Sequence, residues 1–139
     1  MKKLALLALL LSCGAAQAQV VGGQQIVCNK TFQVSQAATA LTKIISGVSG
    51  TTINLCGWAA NAGAATATFA LSYGTGTNCG TGTTSITPVY SLAINGVLVD
   101  RSGIANIAVP QQNASGVLQD LCLVTTGTGP LAITIYYFQ

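Results

Sequence analysis

The chain has 139 residues, half of them hydrophobic and only 5% charged, with five cysteines and no histidine. That length suits one domain and not two. Five basic residues against two acidic ones give a formal charge of +3, which is too little and too scattered for the clustered Lys and Arg of a nucleic-acid surface, so nucleic acid is excluded as a partner.

Lys2 and Lys3, the apolar run 4–11, and the small-x-small pattern Ala16, Gln17, Ala18 predict a signal peptide over residues 1–18. The mature domain then covers 19–139. Leu10, Leu11, Ser12 and Cys13 also resemble a lipobox, the alternative in which Cys13 carries a lipid anchor. In neither case does the apolar run approach the roughly 20 residues needed to span a bilayer, and no later stretch does, so no transmembrane span is expected. Without the leader, Lys30, Lys43 and Arg101 face Asp100 and Asp120, a net charge of +1. Such a surface relies on Ser, Thr, Asn and Gln for solubility and has little charge to oppose association. It suits a protein packed against copies of itself or against a larger assembly, and equally a small uncharged secreted domain.

Beyond Gln24 the chain is a series of short β-rich runs separated by Gly, Ser, Thr and Asn. Strands are expected over 26–28, 32–34, 41–45 and 52–58, with Ile53 and Leu55 on one face of the last and Asn54, Cys56 and Trp58 on the other. In 66–73, Ala67, Phe69, Leu71 and Tyr73 alternate with Thr68, Ala70 and Ser72, a half-buried strand pattern. A strand over 85–94 leads to Asn95-Gly96, a type I′ hairpin signal with its return strand at 97–99. A turn is expected over 100–103 and strands over 104–109, 117–124 and 131–138. Eight or nine strands at this spacing predict an all-β, two-sheet antiparallel sandwich of jelly-roll type. An outer-membrane barrel shares the rhythm but needs strands of about 9–11 residues, and most of these are shorter.

Between two of these strands stands GTGTNCGTGT: Gly74, Thr75, Gly76, Thr77, Asn78, Cys79, Gly80, Thr81, Gly82 and Thr83. It has no apolar face to bury and reads as an ordered surface loop, a possible partner-binding loop held by a disulfide. Its glycine spacing is not the dinucleotide fingerprint, no GK[ST] follows, and the next segment reads as a strand, so phosphate binding is excluded.

The mature chain keeps four cysteines, Cys28, Cys56, Cys79 and Cys122, an even number that predicts two disulfides with three possible connectivities. Of these we favour Cys56 with Cys122, both within strands, and Cys28 with Cys79, joining the start of the fold to the loop. The spacing contains no CxxC pair, so no metal site is expected. With neither His nor Glu in the mature chain, the usual general acids and bases are missing, and no enzyme and no cofactor are expected. A thiolate at Cys79 would lack an imidazole partner, and Asp100 and Asp120 look like turn formers and surface charges rather than a glycosidase pair. Trp58, Tyr73 and Tyr90 are candidates for stacking on a sugar, against the commoner role of sandwich aromatics as core. Tyr136 and Tyr137 occupy opposite faces of the last strand and cannot both be core. Asn29-Lys30-Thr31 and Asn113-Ala114-Ser115 match the glycosylation pattern, which beside a leader of bacterial appearance is read as chance.

SGVSGTTINLCGW at 46–58, YGTGTNCGTGTTSITP at 73–88, VDRSG at 99–103, LQDLCL at 118–123 and the aromatic-ending last strand together resemble a family of small β-sandwich proteins of tailed bacteriophages and prophages. The resemblance covers most of the mature chain, and GTGTNCGTGT is its most specific piece. It implies a virion-associated structural or decoration-type protein without enzymatic activity. The leader adds export to the periplasm, cell surface or medium, which leaves open a secreted carbohydrate-binding or adhesin-like module.

Overall fold

The structure, a computed structural model, describes residues 28–37, 39–101 and 107–139. The expected leader with its Cys13, and residues 26–27 and 104–106 of two expected strands, lie outside the described residues. The described chain is all-β: β1 (Lys30–Gln36), β2 (Ala40–Ile45), β3 (Asn54–Ala62), β4 (Ala67–Thr75), β5 (Thr81–Ser85), β6 (Tyr90–Leu92), β7 (Val97–Arg101), β8 (Ile107–Ala108), β9 (Asp120–Gly127) and β10 (Leu131–Phe138), with one 3₁₀ turn at Thr77–Cys79. They form two antiparallel sheets in the order β1-β10-β3-β7, with β8 also on β3, and β2-β9-β4-β5, with β6 also on β4. Both sheets are open, so the strands make a sandwich and not a closed barrel.

Period-2 alternation explains which residues fill the space between the sheets. Leu131, Ile133 and Ile135 of β10, Phe69 and Leu71 of β4, and Leu121 and Leu123 of β9 point inward and are buried. Tyr137 packs on this core, and Tyr136, one residue earlier, stands on the outer face. The expected alternation in β4 holds for its inward side. Its outward Ala70 and Ser72 are buried as well, so this strand is covered on both faces.

Around β3 the expected face holds for Ile53 and Leu55, which both reach the core, but not for Trp58. Tyr136 pairs with Gly57 but Tyr137 pairs with Leu55, so Cys56 is the extra residue of a β-bulge. The bulge resets the alternation, and Leu55 and Trp58 both face the core. Gly57 makes it possible: its φ is 145°, and a Cβ there would strike the Asp100 carbonyl.

The Asn95-Gly96 turn also differs from expectation. Asn95 has φ 56° but Gly96 is not among the positive-φ glycines, so the turn is not type I′. It carries the chain from β6 in the second sheet to β7 in the first, instead of closing a hairpin. Hydrogen bonds from Asn95 N to Gly63 O and from Ala62 N to Gly96 O, both 2.9 Å, dock it on the end of β3. Of the strand expected over 85–94 only Ser85, the end of β5, and β6 are strand, and β7 continues through Arg101 where the sequence predicts a turn.

The disulfides join Cys28 to Cys56 and Cys79 to Cys122. The expected connectivity, Cys56–Cys122 and Cys28–Cys79, is therefore wrong. Both expected bonds would have crossed the sandwich. Cys122 lies between Leu121 and Leu123, whose side chains fill the interior, so its own thiol points out of the second sheet and cannot reach Cys56 in the first. Each observed bond stays with one sheet: Cys28 leads into β1 and reaches β3 past the end of β10, while Cys79 is tied to β9.

Candidate functional site

Among the described residues the candidate surfaces are the Gly/Thr stretch and the outer face of the first sheet. Gly74 and Thr75 end β4, and Thr81 to Thr83 begin β5, so the stretch is the tip of a β-hairpin with a 3₁₀ turn inside it. Its composition has a backbone cause. Gly76, Asn78, Cys79 and Gly82 all have positive φ, between 48° and 79°, a region that glycine and asparagine enter most easily. These angles fold the tip back over the outer face of the second sheet, against β2, β4 and β9. Cys79 is buried with 0% exposure, as are Cys122 and Ser72 beside it. Thr83 Oγ1 donates to the Cys79 carbonyl. The stretch is thus a clamp whose inner side covers its own sheet. Thr77, Asn78, Gly80 and β5 remain exposed.

The first sheet is covered by no such clamp among the described residues. Its outer face is a grid of three rows in register: Ser35, Ala132, Asn61 and Val97; Gln33, Thr134, Ala59 and Val99; Thr31, Tyr136, Gly57 and Arg101. In the upper two rows the central strands β10 and β3 present Ala132, Thr134, Ala59 and Asn61. Along them runs an open groove of about 450 Å³, lined by residues that include Gln33, Ser35, Ala59, Asn61, Ala132 and Thr134. On its β7 side stand Val97 and Val99, 62% and 54% exposed. The upper two rows contain no charged residue. In the third row the guanidinium of Arg101 lies 4.5 Å from the Tyr136 ring centroid and donates to the tyrosine hydroxyl.

The residues weighed for other chemistry are used elsewhere. Trp58 is 2% exposed, and Tyr90 packs between it and Phe69, with ring centroids 5.6 and 5.2 Å away. Tyr73 is partly buried against the same core. Burial, and then the Asp100 carboxylate, push the Tyr90 hydroxyl pKa above its ordinary value near 10. Asp100 and Asp120 belong to different sheets. Asp120 accepts a hydrogen bond from Gly47 N at 2.9 Å and pairs with Lys43 at 3.5 Å, which ties β9 to β2 and the loop after it. Asn113 Oδ1 accepts from Ser115 N and Val117 N, each at 2.9 Å, and organises its own turn. Among the described residues no three His, Cys, Asp or Glu side chains come together, and no helix is long and apolar enough to cross a membrane.

The valine ridge and the groove escaped the sequence reading, although the signal was present. In 97–101 and 131–138 the residues alternating with the core are valines on one strand and Ala132 and Thr134 on the other. Which strands are neighbours depends on long-range pairing, and only that pairing turns separate patterns into a ridge beside a groove. Comparison of the chain with family models, with curated proteins and with solved structures gave no match.

Proposed function

We propose that the chain is an exported, non-enzymatic structural protein that works by packing on an assembly, either a virion or a bacterial surface. One observation carries this reading: the outer face of the first sheet is broad, uncharged over two of its three rows, and edged by exposed Val97 and Val99. Apolar side chains exposed together beside a groove are the usual mark of a protein contact. The two disulfides suit an oxidising compartment outside the cytoplasm. The strand orders β1-β10-β3-β7 and β2-β9-β4-β5 support the jelly-roll reading, since successive strands alternate between sheets at both ends of the chain. The likeness of GTGTNCGTGT to phage β-sandwich proteins favours the virion. The exposed part of that stretch, on the opposite side of the sandwich, stays free in this reading.

The carbohydrate-binding reading draws on Gln33, Asn61, Ser35 and Thr134, whose amides and hydroxyls line the groove. It is the weaker one, because no aromatic ring lines that groove and Trp58 is buried.

The test is fractionation of cells that make the protein, with high-speed pelleting of particles and envelope and mass spectrometry of the chain's N-terminus. We expect the chain in the pelleted material, beginning at Gln19 or at a lipidated Cys13. Recovery only as free protein in the supernatant contradicts the proposal.

A further inference from the structure

We infer that the outer face of the first sheet binds a second copy of this chain, face to face about a two-fold axis. The valine ridge of each copy then lies in the groove of the other. The inference deepens the packing role proposed above and rests on it.

Two observations point to a second copy as the occupant, and a third sets the strength of the contact. The first is shape. A two-fold contact requires that if one patch touches another, the second touches the first, so a self-associating face needs a protrusion and a matching recess side by side. Val97 and Val99 on β7 form the ridge, with Val97 also walling the groove, and Ala59, Asn61, Ala132 and Thr134 on β3 and β10 form the recess. With the axis running along the strands, β7 of one copy falls on the β3–β10 groove of the other, and Gln33 and Ser35 on β1 flank the contact.

The second is charge. Identical faces bring identical charges together, and a like-charge pair opposes association. The upper two rows have none, and the Arg101 guanidinium in the third is turned onto Tyr136. A neutral face tolerates its own copy, and a strongly charged partner gains nothing from it.

The third is area. About three strands at 4.8 Å spacing and five residues at 3.3 Å cover roughly 250 Å² of sheet per copy. That is far below the ~800 Å² per partner of a standard stable complex. The contact is therefore weak in isolation, and within an assembly of many copies it adds to the other contacts that hold them.

The experiment is analytical ultracentrifugation of the oxidised, exported protein over ~10 µM to ~1 mM, a window chosen for a contact below standard size. Wild type should pass from monomer to dimer across this range. Val97→Lys or Ala132→Glu, both at exposed positions, should each weaken association by about tenfold or more. A mixture of the two variants should associate more tightly than either alone, because the ridge lysine of one meets the groove glutamate of the other. Val89→Asp, exposed on the other sheet's side of the chain, should leave the dimer unchanged. Wild type that stays monomeric at ~1 mM overturns the inference, as does a dimer indifferent to both face variants. In either of those cases pelleting of the chain with particles or envelope would still uphold the packing role, whereas loss of pelleting would remove both.

Discussion

Arg101 reaches Tyr136 across Gly57. The three stand in one row on neighbouring strands, and because the central residue has no side chain, the tyrosine ring and the guanidinium meet above it at 4.5 Å. The same glycine allows the bulge that turns both Leu55 and Trp58 inward, so one residue serves the core on one side and the outer face on the other.

Gly57→Ala should therefore be among the most damaging small substitutions. It places a Cβ against the Asp100 carbonyl at a φ of 145°, with an expected loss of about 2 to 4 kcal/mol. Arg101→Ala, which removes only the exposed stacking partner, should lose about 0.5 to 1 kcal/mol. Urea denaturation of both variants measures the contrast, and equal losses would show that the glycine is not constrained.

Trp58, the chain's single tryptophan, is a core residue here. Its emission should be blue-shifted and resistant to acrylamide, with no response to added oligosaccharides. Trp58→Ala should lose about 3 to 5 kcal/mol. Trp58→Phe should lose markedly less, because the indole N–H is buried with no hydrogen-bond partner among the described residues.

Each disulfide should contribute roughly 2 to 4 kcal/mol. A non-reducing peptide map should join Cys28 to Cys56 and Cys79 to Cys122. Replacing Cys79 and Cys122 together by serine should destabilise the whole domain and also release the hairpin tip, since both sulfurs are buried where the tip lies on its sheet. Loss of tip protection alone, with unchanged global stability, would mean that the clamp is an independent appendage.

Stability should also fall in strong base. Tyr90 holds its proton more tightly folded than unfolded, so the folded state binds more protons once pH exceeds the unfolded value near 10. Unfolding free energy is then flat in Tyr90's contribution below that pH and declines above it. Tyr90→Phe should lack this part of the decline, and identical profiles for the variant and wild type would refute the assignment.

The fold was legible because its signals are local. Alternation in 67–73 and 131–137 marks strands and their inward faces, and Gly, Asn and Thr mark the connections. What was not legible depends on pairing between distant segments. The bulge at Cys56 shifts faces by one residue, and only the register against Tyr136 and Tyr137 exposes it. The disulfide partners follow from Cys122 pointing outward, which Leu121 and Leu123 decide. The Gly/Thr stretch reads as a loop in the sequence, and its positive-φ residues mark a tight turn. Its return onto the second sheet depends on a bond to a cysteine 43 residues away. The ridge and groove on the outer face of the first sheet need the order β10-β3-β7, which no single segment carries.

The most direct test of where the protein makes contact is hydroxyl-radical footprinting of the chain in its assembled state against the dilute monomer. The account predicts protection of Val97, Val99 and the outward residues of β10, with Thr77, Asn78 and β5 labelled equally in both. Protection of the Gly/Thr tip, with Val97 and Val99 labelled as in the monomer, would contradict it and return the contact to the hairpin.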